Sequence, residues 1–436
     1  MSDTFEQQHR LDEYGYPLPP DSRRALRKNS IRASKRVLLT CIYLCLSVIG
    51  FFLWLGRLGK RYPRMRPESV NPRHILVIRL DLIGDLVLST VVIRTLKRAY
   101  PEAAIDVLAT PGSAKILEHD PDIAQLITYD PNIWRRPQAL LRINNWRALR
   151  LLLQRLHARH YDIAVSVFGP WAAILAVLSG AKRRVGFGKE GYPGFMTDNV
   201  PGKHWTRGER KHEVDYCLEL AKAAGATVSA DDRIPHLYVQ SQARQEVAQL
   251  LEAEGVSSAQ PLIACHVSSN NGQSKRWPLP YWATLIARLV RDLNAVVVLT
   301  GAPGDIPLIE SILLRMQDRH GVLNLAGKTS LPQLAALLER ADLMITGDSG
   351  PMHIAAAVGT PLIAIHGPTD PAHSGPVSPR ATILRSDIWC SPCYAAKDTA
   401  DCRFFTTQCM KNISPAQVFQ VVQEQLQTFA RDRVEE

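Results

Sequence analysis

The chain has 436 residues, 46% of them hydrophobic, which is enough for two or three domains with real cores and excludes a mainly disordered protein. Its net charge of +11 is lopsided: residues 1–74 hold 14 Lys/Arg against 6 Asp/Glu, so the other 362 residues carry only +3. That argues against a nucleic-acid-binding body and for a basic N-terminal arm beside anionic lipid. The eight cysteines (41, 45, 217, 265, 390, 393, 402 and 409) lack the density of a small secreted disulfide scaffold and fit a reducing compartment.

Residues 1–36 are polar, charged and proline-containing, and read as a disordered basic tail. Residues 37–56 (VLLTCIYLCLSVIGFFLWLG) form a charge-free run. As a helix it would span about 30 Å, the thickness of a hydrocarbon core. The expectation is a transmembrane helix, with a buried core helix as the alternative. A cleaved signal peptide fits less well, because the preceding region is long and no small-x-small site follows. The flanking cations, seven before the run and six in the basic linker 57–73, give no orientation.

From residue 74 the pattern alternates. Residues 74–80 (HILVIRL) read as a buried strand, 86–99 as a helix, 104–109 as a strand and 161–168 as another, reached through a helical stretch. After a polar stretch near 225–260 the alternation restarts. Strands are expected at 261–267, 295–300, 343–346 and 361–366, and helices at 279–293, 305–316, 331–338 and 353–358. This predicts two Rossmann-like doubly wound domains, 74–240 and 258–425, facing a cleft. Ligands in such sheets bind beyond the carboxyl ends of the strands, so the loops after residues 80, 267, 300, 346 and 366 should line it.

Four of these loops carry polar chemistry. In Gly347-Asp348-Ser349-Gly350-Pro351-Met352-His353, two glycines allow close backbone approach and Pro351 suits a first helical turn. The free N–H groups of that helix start make an anion site, to which Ser349 and His353 add donors. The alternative is that Asp348 or Ser349 only caps the helix. In Leu80-Asp81-Leu82-Ile83-Gly84-Asp85, a carboxylate at the strand end suits a general base, or else Asp85 is an N-cap. The stretch 268–278 holds Lys275 and Arg276, cations able to neutralise phosphate, in what could equally be a solvated loop. Asp305, in Gly301-Ala302-Pro303-Gly304-Asp305, stands where an acid takes ribose hydroxyls, or in a plain turn.

Two further patterns stand apart. Cys390-x2-Cys393-x8-Cys402-x6-Cys409 contains a spacing suited to structural zinc, with free or redox-active thiols as the alternative. Residues 134–161 contain seven arginines, many leucines and no acid. They read as an interfacial helix meeting phosphorylated lipid, or as a surface helix packing its leucines on the sheet.

The segment HILVIRLDLIGDLVLSTVVIRTLKRAYPEAAIDVL resembles the opening of the ADP-heptose:lipopolysaccharide heptosyltransferases, glycosyltransferase family 9. KRWPLPYWATLI, TGAPGD, LNLAGKTSLPQLAALL and GDSGPMHIAAAVGTPLIAIHGPTDPAHSGP are similar to its later motifs, in order, over about residues 74–425. The resemblance implies a GT-B fold and an inverting, metal-independent transfer from ADP-heptose to a lipid-linked saccharide acceptor, with no catalytic cofactor. It implies Asp85 as general base, Lys275 and His353 beside the donor phosphates, and Gly84, Asp305, Asp348, Ser349, Gly350, Pro351 and Met352 in substrate binding. Val91 stands where the family usually has proline, Asp305 replaces the commoner glutamate, and the N-terminal apolar run is an addition. With that run, the resemblance implies a single-pass inner-membrane enzyme with its catalytic domains in the cytoplasm. The alternatives are a GT-B glycosyltransferase using another nucleotide-sugar, or a catalytically silent GT-B scaffold.

Overall fold

The computed structural model describes residues 45, 47–49, 52, 71–135, 137–188, 194–201, 211–257, 259–269, 273–393, 402, 404 and 406–435. The chain divides into two compact units between Tyr238 and Val239.

The first unit is a six-stranded parallel sheet. Its elements are β1 (His74–Arg79), α1 (Ile83–Leu88), α2 (Thr90–Ala99), β2 (Ala104–Ala109), β3 (Gln125–Thr128), α3 (Ile143–Ala158), β4 (Ile163–Ser166), α4 (Pro170–Leu178), β5 (Arg183–Phe187), β6 (Asp198–Val200) and α5 (Glu213–Ala224). The strand order is β3-β2-β1-β4-β5-β6, with every pairing parallel. The second unit repeats that order. Its elements are α6 (Ser241–Ala253), β7 (Leu262–His266), α7 (Leu279–Leu293), β8 (Val296–Thr300), α8 (Ile306–Leu313), β9 (Val322–Asn324), α9 (Leu331–Arg340), β10 (Leu343–Gly347), α10 (Gly350–Ala357), β11 (Leu362–His366), β12 (Ala381–Arg385) and α11 (Pro415–Glu435). The sheet runs β12-β11-β10-β7-β8-β9, again all parallel.

The central strands are covered on both faces, so they need apolar residues at every position rather than at alternate ones. HILVIR in β1, LIACH in β7, LMITG in β10 and LIAIH in β11 meet that need and are almost wholly buried. The helices stop where the sequence offers a left-handed residue. Gly225 ends α5 at φ 110° and Asn294 ends α7 at φ 50°. The Ser330 side chain accepts from Gln333 N–H and opens α9.

Several expectations change. The helix expected over 86–99 is two helices, which meet at Ser89, whose hydroxyl donates to the carbonyl of Asp85 at 2.7 Å. The stretch 241–257, which falls between the two expected domains, carries α6, which belongs to the second unit. There Arg244 forms a two-pronged pair with Glu339 of α9. Helix α10 begins at Gly350, three residues before the expected start, so the Gly-Pro pair lies inside its first turn. The transmembrane expectation falls on residues 37–56, which lie outside the described residues apart from Cys45, Ser47, Val48, Ile49 and Phe52. Among the described residues no helix is long and apolar enough to cross a membrane. The basic tail 1–36 lies wholly outside them, and the linker 57–73 lies outside up to residue 70.

Candidate active site

In each sheet the chain reverses its winding direction once, between β1 and β4 in the first and between β7 and β10 in the second. At such a switch point two neighbouring loops diverge to opposite faces and leave a crevice at the carboxyl ends of the strands. The loops flagged by sequence occupy those places. Residues 80–85 follow β1, residues 268–278 follow β7, and residues 347–353 follow β10.

At the first switch point Asp85 lies in the first turn of α1. The N-cap is Leu82, with no side-chain capping bond, so the N-cap alternative for Asp85 does not hold. The Asp85 side chain is 36% exposed and sits 3.4 Å from the Nη2 of Arg79. Arg79 itself is buried at the end of β1. Its Nε is 3.0 Å from Asp81 and its Nη1 is 2.7 Å from Glu213, which is also buried. The Phe168 ring, from the loop after β4, lies 5.3 Å from the guanidinium carbon. One cation thus serves three carboxylates. Burial pushes the Asp85 carboxyl up to about 7. Arg79 pulls against that shift, while Glu213 and Asp81 add to it. The same carboxylates hold Arg79 charged against the cost of its own burial. A carboxylate half-protonated near neutrality, and reachable from solvent, has the properties of a general base. Gly84 sits buried beside it in the same turn.

At the second switch point Lys275 and Asp348 form a pair at 2.7 Å, with side chains 11% and 10% exposed. Burial works upward on the Asp348 carboxyl, but Lys275 first, then His366 and His353, bring it down to about 2. Asp348 is therefore held as a carboxylate beside Lys275. Gly347 lets the two loops come this close, since a Cβ there would stand 3.1 Å from the carbonyl oxygen of Lys275. Ser349 is the N-cap of α10 without a side-chain capping bond, and its hydroxyl lies 3.0 Å from that of Thr346. Ser349 thus holds the N-cap position, but neither its side chain nor that of Asp348 caps the helix. Pro351, Met352 and His353 lie in the first turn of α10, the last two buried. The Ser269 hydroxyl reaches the carbonyl of Asp348 at 3.5 Å, another tie between the loops after β7 and β10. Residues 270–272 of the polar loop lie outside the described residues.

Asp305 ends a short turn after β8. Its carboxylate accepts from the N–H of Ala302 at 2.8 Å, so it closes that turn itself. It stays at the carboxyl edge of the sheet, on the strand beside β7.

Three contributors were not singled out from the sequence. Arg79 lies in an otherwise apolar strand, where a lone charge inside a buried run is the signal that marks it. Glu213 had none, because its partner lies 134 residues away. His366, at the end of β11, is fully buried. Burial lowers its pKa while Asp348 pulls it back up.

Cys390, Cys393, Cys402 and Cys409 line one small cavity together with Ser274 and Pro368, directly behind the Lys275 loop. No disulfide joins them. Among the described residues no group of three or more His, Cys, Asp or Glu could hold a metal ion.

The family model for glycosyltransferase family 9 (heptosyltransferase) matches residues 149–403. Lipopolysaccharide heptosyltransferase 2 of Escherichia coli (strain K12) is 30% identical over 318 residues, covering 71% of this chain and 87% of the relative. Lipooligosaccharide heptosyltransferase 2 of Haemophilus influenzae is 30% identical over 325 residues, covering 72% and 88%. Among solved structures, the ADP-heptose lipopolysaccharide heptosyltransferase II of E. coli superposes with a TM-score of 0.64 at 26% identity, over 82% of this chain and 99% of that one. A glycosyl transferase family 9 protein from Veillonella parvula gives 0.69 at 23% identity, over 82% and 98%, and so shows the shared fold.

Proposed function

We propose, from the fact that the chain belongs to glycosyltransferase family 9 (heptosyltransferase), that this lipopolysaccharide-core glycosyltransferase moves a heptose from ADP-heptose to a lipid-linked saccharide. The observation that carries the mechanism is the division of chemistry between the two switch points. One offers a carboxyl whose pKa is raised toward neutrality, and the other offers Lys275 beside a glycine-led helix start.

In this reading Asp85 takes the proton of an acceptor hydroxyl as that oxygen attacks the anomeric carbon. Attack from the face opposite the leaving group inverts the anomeric centre. The bond to the nucleotide diphosphate breaks, and negative charge grows on the departing oxygen. Lys275, the N–H groups opening α10 and His353 supply donors for that charge, so the transfer is metal-independent. Asp348 acts through Lys275, holding its side chain in place. Asp305 has one carboxylate oxygen closing its own turn and offers the other to the ribose.

The charge-free run 37–56 supports a single membrane crossing; the placing of both catalytic domains on the cytoplasmic side of the inner membrane rests on the family resemblance alone. The deciding experiment is transfer from ADP-heptose to truncated lipopolysaccharide acceptors by the full chain, alongside thermal shifts with ADP-, UDP- and GDP-sugars. Heptose incorporation together with selective stabilisation by ADP-heptose is expected. Stabilisation by a UDP- or GDP-sugar alone, without heptose transfer, would overturn the donor assignment and leave the glycosyltransferase reading standing.

A further inference from the structure

Helix α3 is atypical of a helix that only covers a sheet. Leu152 and Leu156 are buried, and Leu149 and Leu153 pack against the core, which accounts for its inner face. The outer face and the turn before it mix cations with large apolar side chains. Leu141 is 88% exposed and Leu151 65%, and Leu140, Ile143 and Trp146 are exposed with them. Large apolar side chains gathered on a surface mark an interaction site, whereas single ones do not. Trp146 is also held in place. Its ring meets that of Trp134 edge-on at 4.9 Å, and its Nε1 donates to the carbonyl of Leu140 at 2.9 Å. Along the helix, Trp146, Leu149, Arg150, Leu153, Gln154 and His157 line a groove of about 440 Å³.

The charges around this patch are of one sign. Arg142, Arg147, Arg150 and Arg155 are exposed, and none has an ion-pair partner among the described residues. Arg159 does, pairing with Asp106 at 2.7 Å, which sets it apart as structural. No Asp or Glu occurs between residues 134 and 161.

We infer that α3 and the turn at 138–142 lie against an anionic bilayer surface, with Leu141, Ile143, Trp146 and Leu151 entering the interface and the four arginines meeting lipid phosphates. Exposed leucine and tryptophan interleaved with unpaired arginine fit that partner. A polyanion such as nucleic acid would use the cations and leave the leucines in water. The topology gives the contact a purpose. The chain leaves the carboxyl edge of the sheet after β3 and returns to the opposite edge to begin β4. The start of α3 therefore lies at the edge that also carries the Asp85 loop, so the contact would hold that loop near the membrane surface. The inference concerns this surface alone and is independent of which sugar is moved.

The test uses the full chain in vesicles, with the photo-crosslinking residue p-benzoylphenylalanine replacing Leu141, or replacing Leu314, an exposed leucine of the second unit, as control. The readout is local, so insertion of residues 37–56 does not mask it. Expected are lipid adducts at position 141 in vesicles containing phosphatidylglycerol, at least about tenfold above position 314. They should fall to the control level in pure phosphatidylcholine, and also when Arg142→Gln, Arg147→Gln and Arg150→Gln are combined. Circular dichroism checks that this triple variant stays folded. Adducts at position 141 no more frequent than at 314, equally frequent in zwitterionic vesicles, or formed with a second protein chain would each overturn the inference.

Discussion

The guanidinium of Arg79 lies 2.7 Å from the carboxylate of Glu213, both groups buried and 134 residues apart in sequence. The pair ties α5 to the end of β1 and leaves Asp85 as the most exposed member of the cluster. Its consequence is a titration. Asp85 must be deprotonated to act as a base, and its pKa is raised to about 7, so kcat/KM should fall as pH drops below about 7. Glu213→Gln removes a like charge, which lowers the Asp85 pKa and moves the acid limb down by about one unit. A pH–rate profile of the two proteins checks this, and an unmoved limb would mean that another group titrates.

Asp85→Asn should reduce kcat by about 10²–10⁴-fold. The donor is bound by the other unit in the proposed scheme, so calorimetric donor affinity should stay within about twofold of the unmodified chain. Turnover at the original rate would remove Asp85 from the chemistry.

Lys275 and Asp348 are nearly dry, so removing one partner strands the other. Asp348→Asn or Lys275→Met alone should cost about 3–5 kcal/mol of stability in denaturant melts of the full chain. The double variant should recover most of that and still fail to transfer sugar. The pH dependence follows from a depressed carboxyl. The stability supplied by Asp348 is present above the ordinary value of 3.8 and is lost as pH falls toward about 2.

Gly347→Ala places a methyl group 3.1 Å from the carbonyl of Lys275 and must push the two loops apart by a few tenths of an ångström. A loss of about tenfold in kcat/KM is expected, because positioning within the site is sensitive at that scale. Gly112→Ala, at a position with open space around it, is the control and should leave the rate unchanged.

Local chemistry explains which parts were legible in the sequence. The central strands β1, β7, β10 and β11 announce themselves as unbroken apolar runs, and with them come the loops that follow. Strands β3, β6, β9 and β12 lie toward or at the sheet edges and are short or half-exposed, so QLIT and DNV carry no such run. The break at Ser89 escaped notice because apolar periodicity continues across it. What acts on a site residue from far along the chain was not legible. The sequence suggests Asp85 as a base, but nothing near it indicates that Glu213 helps to raise its pKa. Likewise Asp348 reads as part of an anion-binding loop, and only the fold shows its carboxylate committed to Lys275.

Two residues after Lys275, the buried Trp277 donates its Nε1 hydrogen to the carbonyl of Ile413 at 2.8 Å, and Val418, Phe419 and Val422 complete the same core. During synthesis from the N-terminus, the Asp85 cluster has all its members once Glu213 has emerged. The lysine loop must wait for residue 413. At ribosomal speeds of about 5–20 residues per second, that interval is on the order of 10–40 s. Through it the nascent protein carries a completed Asp85 cluster and an incomplete Lys275–Asp348 loop pair, so in the proposed scheme no transfer starts before residue 413 has been made.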